Sequence, residues 1–255
     1  YKTAGEGQPL FSSKGTKVMP RGYVLILHGW GGSADSWKQI QDRVAKEGYH
    51  VMTVDLPGFG ETQAPTKIWG IEEYAEFVAM LVERAGLKKV HVLGHSFGGQ
   101  IAIQFAVKHP DAVNSLILCA AAGVRRKKSP KVQIVQMIAK VGKTVASVLP
   151  VQEERLRSLF YRVIRRGDYV KSKGIMKSIF QKVIRQDLSF SFAYIRMPTL
   201  IVWGRQDQIT PLEDGERMKD SMLEAEFKVI QRSGHNIHFD APDELTEVLL
   251  RFLNQ

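Results

Sequence analysis

Six short runs along the chain are apolar at nearly every position: "YVLILHG" (23–29), "HVMTVDLPG" (50–58), "KVHVLGHS" (89–96), "VNSLILCAAAG" (113–123), "PTLIVWG" (198–204) and "EFKVIQRSGH" (226–235). Runs of this length, rich in branched residues and bounded by glycine, proline or polar positions, predict strands. Their near-continuous apolarity suits a parallel sheet covered on both faces. Between them, residues 34–47, 71–85, 97–109, 211–223 and 242–253 carry helical patterns. This alternation predicts an α/β fold built on an open, mostly parallel, doubly wound sheet.

Residues 124–197 interrupt that rhythm. "VQIVQMIAKVGKTVASVL", "EERLRSLFYRVIRR" and "GIMKSIFQKVIRQDL" place apolar residues three or four apart, as at Ile134, Ile138, Val141 and Val145, then Leu156, Phe160 and Val163, then Ile175, Ile179 and Val183. Lysines and arginines fill the opposite faces, the pattern of amphipathic helices. The expected organisation is therefore a core of residues 1–123 and 198–255 carrying a helical lid at 124–197.

Charge sharpens this division. The chain has a formal net charge of +10, yet residues 124–197 alone hold 18 Lys and Arg against 4 Asp and Glu, and the remainder is net acidic. Solvated faces of amphipathic helices account for most of that basicity. Attraction of anionic substrates, or weak association with an anionic surface, is the functional alternative. Nucleic acid is not expected, because no nucleic-acid-binding motif accompanies the charge. The single cysteine, Cys119, lies in an apolar run and is expected to be an inert buried thiol that forms no intramolecular disulfide. With no apolar run near the ~18 residues that a membrane span needs, the protein is expected to be soluble and cytoplasmic. The start at Tyr1 leaves a removed leader open.

Ligand sites of open α/β sheets lie beyond the carboxyl ends of the strands. Four loops there hold suggestive residues: "HGWGG" (28–32), "GHSFGG" (94–99), "WGRQDQITP" (203–211) and "SGHNIH" (233–238). Ser96 sits between flanking glycines at a strand-to-helix turn, which would thrust its hydroxyl outward near a helix N-terminus. An imidazole with pKa near ~6.5 can take and return a proton at neutral pH, which makes His235 and His238 the candidate bases. Asp207 would fix the base's tautomer and stabilise its cation.

The Gly-x-Ser-x-Gly turn, the strand before it, the helix after it and the chain order Ser, Asp, His together resemble the α/β-hydrolase superfamily. The likeness runs from about residue 22 to the C-terminus, apart from the lid, and the HGWGG and GHSFGG forms look like soluble lidded serine esterases. It implies that Ser96 is the nucleophile, that His235 directly after Gly234 is the base, and that Asp207 is the acid. His238 then becomes a packing or lid-contacting residue, and Asp55 in "DLPGFG" shapes a turn. The backbone amides of Trp30 and Phe97 would form the oxyanion hole, where losing one donor typically costs ~2.7 to 4 kcal/mol of transition-state stabilisation. Gly31 and Gly32 would allow the loop its unusual backbone angles.

The resemblance implies neither metal nor organic cofactor, and a small-molecule ester substrate. Serine at 96 argues against the haloalkane dehalogenases and epoxide hydrolases of this fold, which use aspartate. Carbon–carbon bond hydrolases of aromatic ring cleavage share the serine triad, but commonly show Asn where this chain has His95 and a small residue where it has Trp30. They remain the alternative, together with perhydrolases and hydrolase-fold receptors of slight turnover. Members usually begin with a strand pair before the "HG" strand, so with only residues 1–21 ahead of it, one edge strand is expected to be short or missing.

Overall fold

The computed structural model describes residues 2–4, 20–124 and 174–255. The strands are β1 (Lys2–Ala4), β2 (Tyr23–Leu27), β3 (His50–Val54), β4 (Val90–His95), β5 (Val113–Cys119), β6 (Thr199–Gly204) and β7 (Ala225–Ile230). They form one sheet in the order β1-β3-β2-β4-β5-β6-β7. Every pairing from β3 to β7 is parallel, while the edge strand β1 runs antiparallel to β3, with Lys2 opposite Thr53. A short edge strand thus precedes the "HG" strand.

The side-chain period of two sends alternate residues of each strand to opposite faces. Leu25 and Leu27 of β2, Val90 and Val92 of β4, Leu116 and Leu118 of β5, and Ile201 and Trp203 of β6 enter one apolar cluster. Val24, Ile26, Leu93, Ile117, Cys119, Leu200 and Val202 enter the other. Both faces are apolar, so both must be covered, and that is why these strands read as unbroken apolar runs.

The cover is helical. Helices α1 (Lys38–Lys46) and α6 (Pro242–Leu253) close one face through Ile40, Val44, Leu245, Leu249 and Phe252. Helices α2 (Ile71–Arg84), α3 (Phe97–Lys108) and α5 (Leu212–Ser221) close the other, joined by α4 (Gly174–Val183) through Ile179 and Val183. α4 also crosses the start of α2. Gln186 accepts the Ile71 N–H at 2.8 Å, Lys182 reaches Glu73 at 3.3 Å, and Gln100 donates to the Val183 carbonyl at 3.3 Å. Where the chain returns from this segment, Leu188 N–H donates to the Gly123 carbonyl at 2.8 Å.

The first two helical patterns of 124–197 and most of its basic residues lie outside the described residues. Among the described residues no helix is long and apolar enough to cross a membrane. The order β3-β2-β4 decides where a ligand can sit. The chain steps from β2 to one side and then crosses to the other, which opens a crevice beyond the ends of β2 and β4, where ligands of such sheets bind.

Candidate active site

β4 ends at His95 and α3 begins at Phe97, so Ser96 alone turns the chain. It does so at φ 52° and ψ −112°, a conformation that costs a non-glycine residue roughly 1–3 kcal/mol. So tight a turn presses backbone on backbone. A Cβ on Gly94 would lie 2.4 Å from the Gly98 oxygen, and one on Gly98 would lie 2.1 Å from the Leu27 oxygen, so only glycine fits either position. The strained residue is held from both sides: Ser96 N–H donates to the Cys119 carbonyl at 3.2 Å, and its own carbonyl accepts the Ala122 N–H at 3.0 Å.

The loop after β2 lies against this turn, since a Cβ on Gly29 would be 3.3 Å from Ser96 Cβ. Its geometry is set by His28. Leu56 N–H donates to His28 Nε2 at 3.1 Å, so Nε2 is the bare nitrogen and Nδ1 carries the proton. Nδ1–H then donates to the Gly29 carbonyl at 2.7 Å, and Gly32 N–H donates to the same oxygen at 3.0 Å, closing a four-residue turn with Gly31 at φ 75°. Burial pushes the His28 pKa down, which keeps this neutral form. In a trans peptide the C=O and N–H point in opposite directions. Anchoring the Gly29 oxygen toward His28 and Gly32 therefore turns the Trp30 N–H the other way.

The loops after β6 and β7 bring Asp207 and His235 together. His235 Nδ1–H donates to Asp207 Oδ2 at 2.8 Å, and the aspartate side chain is 0% exposed. Its other oxygen accepts the N–H groups of Ile209 (2.8 Å) and Thr210 (3.0 Å). With Nδ1 occupied by this bond, Nε2 is the ring nitrogen left over. His95, directly before Ser96, donates from Nε2 to the His235 carbonyl at 2.9 Å. The loop bearing His235 is thereby tied to the Ser96 turn. His95 is buried, and that burial holds its pKa well below the ordinary value, so it works here as a neutral donor.

Among the described residues His238 forms no ion pair with Asp207; its ring stacks on Trp37 with centroids 4.3 Å apart, and it is buried. Asp55 accepts the N–H groups of Ala34 (2.7 Å) and Glu61 (3.2 Å), binding its turn to the 3₁₀ segment Ala34–Trp37 that leads into α1. Burial works to raise the Asp55 pKa, but these donors outweigh it and the net shift is downward. Cys119 is buried within the sheet, and desolvation pushes its thiol pKa up, away from the reactive thiolate.

Beside the elbow stands an aromatic wall. The Trp30 ring meets Phe59 at 4.9 Å, Phe97 at 5.1 Å and, from α4, Phe180 at 4.9 Å. This surface is uncharged and suits apolar groups. Three residues that shape the site, His28, His95 and Thr210, carry no mark of that role in the sequence pattern. The first two sit within the HGWGG and GHSFGG loops, close to Trp30 and Ser96, and that adjacency was the available signal.

Residues 22–242 match the model of the alpha/beta hydrolase fold family. A 2-hydroxy-6-oxononadienedioate/2-hydroxy-6-oxononatrienedioate hydrolase of Pseudomonas sp. is 25% identical over 250 residues, covering 90% of this chain and 87% of the relative. A solved thermophilic esterase from Thermogutta terrifontis superposes with a TM-score of 0.68 at 26% identity, covering 91% of this chain and 89% of that one. The esterase from Exiguobacterium antarcticum, at a TM-score of 0.72 and 24% identity over 93% and 94% of the two chains, shares the fold. With the parallel sheet, the strained serine turn and a match over most of its length, this chain belongs to the alpha/beta hydrolase fold family and is a hydrolase.

Proposed function

We propose that the protein is a serine hydrolase that cleaves carboxylic esters with apolar acyl or aromatic groups. Ser96 Oγ attacks the acyl carbon while its proton passes to His235 Nε2. Asp207, bonded to Nδ1–H, stabilises the imidazolium that results. The backbone N–H groups of Trp30 and Phe97 hold the oxyanion. The imidazolium returns its proton to the departing alkoxide, and the alcohol leaves an acyl-enzyme. Water then attacks that ester, giving a proton to His235, and the imidazolium returns it to Ser96 Oγ as the acid leaves.

The observation that carries this reading is the 2.8 Å bond between His235 Nδ1 and a fully buried Asp207, in a loop tied by His95 to the Ser96 turn. The aromatic wall of Trp30, Phe59, Phe97 and Phe180 supports apolar substrates. A second reading, carbon–carbon bond hydrolysis, is favoured by the named activity of relatives 25% identical over 90% of the chain. Against it stand His95 and Trp30, at the positions where such enzymes commonly show Asn and a small residue. A dioate also carries two carboxylates, for which that uncharged wall offers no partner.

The experiment compares p-nitrophenyl esters of graded acyl length with a ring-cleavage dienedioate, on the native protein and Ser96→Ala. We expect ester turnover that depends on acyl length and falls by up to ~10⁶-fold in Ser96→Ala. Cleavage of the dienedioate without turnover of any ester would replace the ester reading with the second one.

A further inference from the structure

Thr210 has its hydroxyl at the junction of three groups. Oγ1 lies 2.8 Å from Asp207 Oδ2, 3.1 Å from His235 Nδ1 and 3.1 Å from the Ala120 carbonyl. The residue is buried, and its backbone is fixed at both ends: its N–H donates to Asp207 Oδ1 at 3.0 Å, and its carbonyl accepts Trp203 Nε1–H at 2.7 Å. Ala120 is equally constrained. It takes φ 46°, rare for alanine, and its N–H is bonded to the Val202 carbonyl at 2.9 Å. That strained residue presents its oxygen to the hydroxyl.

A hydroxyl has one proton and two lone pairs. It cannot donate to Asp207 and to Ala120 at once, and it can accept from His235 only when its proton points elsewhere. We propose that Thr210 is a positioning residue of the acid–base pair, its hydroxyl a rotor that donates to Asp207 while His235 is neutral and to Ala120 once His235 is protonated. In the second setting a lone pair faces Nδ1–H, so the imidazolium gains an acceptor beyond Asp207. Stabilisation then appears where charge develops on the histidine, and this is the condition for lowering a barrier rather than tightening ground-state binding.

The inference rests on the serine-hydrolase reading for its effect on rate, but not for its effect on the histidine. Among the described residues, the other titratable groups around His235 are Asp207 after β6, His95 at the end of β4, Cys119 at the end of β5, and His238 and Asp240 on its own loop. Substitution at position 210 leaves all of them in place.

The test uses Thr210→Val, which keeps the shape and removes the hydroxyl, and Thr210→Ser, which keeps the hydroxyl and removes a methyl. Thr210→Val is expected to lower kcat about tenfold with KM little changed, the scale of one lost hydrogen bond to a charged group. The acid limb of its kcat/KM profile should move to lower pH, because the protonated base has lost an acceptor. Thr210→Ser should stay within about threefold of the native rate and keep the native limb. A limb that stays put, or moves to higher pH as loss of a fixed donor to Asp207 would require, overturns the rotor. Equal losses in both variants would assign Thr210 to packing alone, and that too overturns it. Proton NMR of the His235 ring without substrate should show the same direction of change between the native protein and Thr210→Val. This measurement decides the Thr210 question even if no ester is turned over, whereas Ser96→Ala decides the ester reading alone.

Discussion

His238 shows what burial does to a single ionisable ring. Sandwiched against Trp37, with no hydrogen bond from Nδ1 to the described residues, it has its pKa pushed down to about 4, first by desolvation and then by the neighbouring His235. An unfolded chain takes up this proton below pH ~6.5, whereas the folded one does not until about pH 4, so stability falls as pH drops through that window. Burial shifts His28, His91 and His95 in the same direction. Chemical denaturation at pH 7 and 4.5 should show the native protein losing stability. His238→Phe, which keeps the stack, should lose less by on the order of 2 kcal/mol. An unchanged difference between the two pH values would overturn the assignment of that slope to His238. At this scale the positions of Ser96, Asp207 and His235 just beyond strand ends could be read from the sequence, because each follows an apolar run in a marked loop. The contacts of His28, His95 and Thr210 could not, because the Leu56 N–H that meets His28, the His235 carbonyl that meets His95, and the His235 ring and Ala120 carbonyl that meet Thr210 are distant in sequence and only the folded loops bring them within reach.

Elements were legible wherever their period ran long enough to be seen. The six apolar runs and five helical patterns of the core correspond to β2 to β7 and to α1, α2, α3, α5 and α6, with ends trimmed by a few residues. Among the described residues four short pieces escaped: β1, the 3₁₀ segments Pro110–Ala112 and Ser189–Tyr194, and the helical turn Ile237–Asp240. None spans more than two periods of its own pattern, so tertiary contacts rather than local sequence define them. The junction of β4 and α3 was legible for the opposite reason, since close packing there forbids any side chain. Gly98→Ala would drive a methyl to 2.1 Å from a strand carbonyl that the sheet holds fixed. The expected cost is above ~3 kcal/mol, as for the most disruptive core substitutions, with loss of soluble folded protein on expression or a Tm lowered by many degrees. A variant that melts like the native protein would mean that the elbow relaxes more readily than its contacts imply.

At the scale of the whole molecule, the sheet has two edges and treats them differently. β1 covers β3 through three residues, aided by Gln41 Nε2, which bridges the carbonyls of Lys2 and Val51 at 3.1 and 3.2 Å, and by the Lys2–Asp35 ion pair at 2.6 Å. Removing residues 1–4 would bare the edge of β3 and leave Gln41 half-satisfied in a buried position. Unpaired edges template association between chains. Light scattering on warming should therefore show earlier aggregation in the truncated chain, and an unchanged onset would assign β1 no protective role. The parallel order of the remaining strands followed from apolarity on both faces, whereas the antiparallel edge left no comparable trace in three residues.

The bond between Leu188 and Gly123 bears on how such a protein changes over time. Because the intervening stretch departs and returns through neighbouring residues, its length is not dictated by the sheet, and the entropy of bringing its ends together depends only weakly on how many residues lie between. Recombination could exchange much of that stretch as a cassette between the same two residues, provided the replacement again supplies apolar side chains where Ile179 and Val183 enter the core, while the serine turn and the loops of Asp207 and His235 stay in place. Descendants of one reaction centre could thus come to serve different molecules without ever passing through an inactive ancestor.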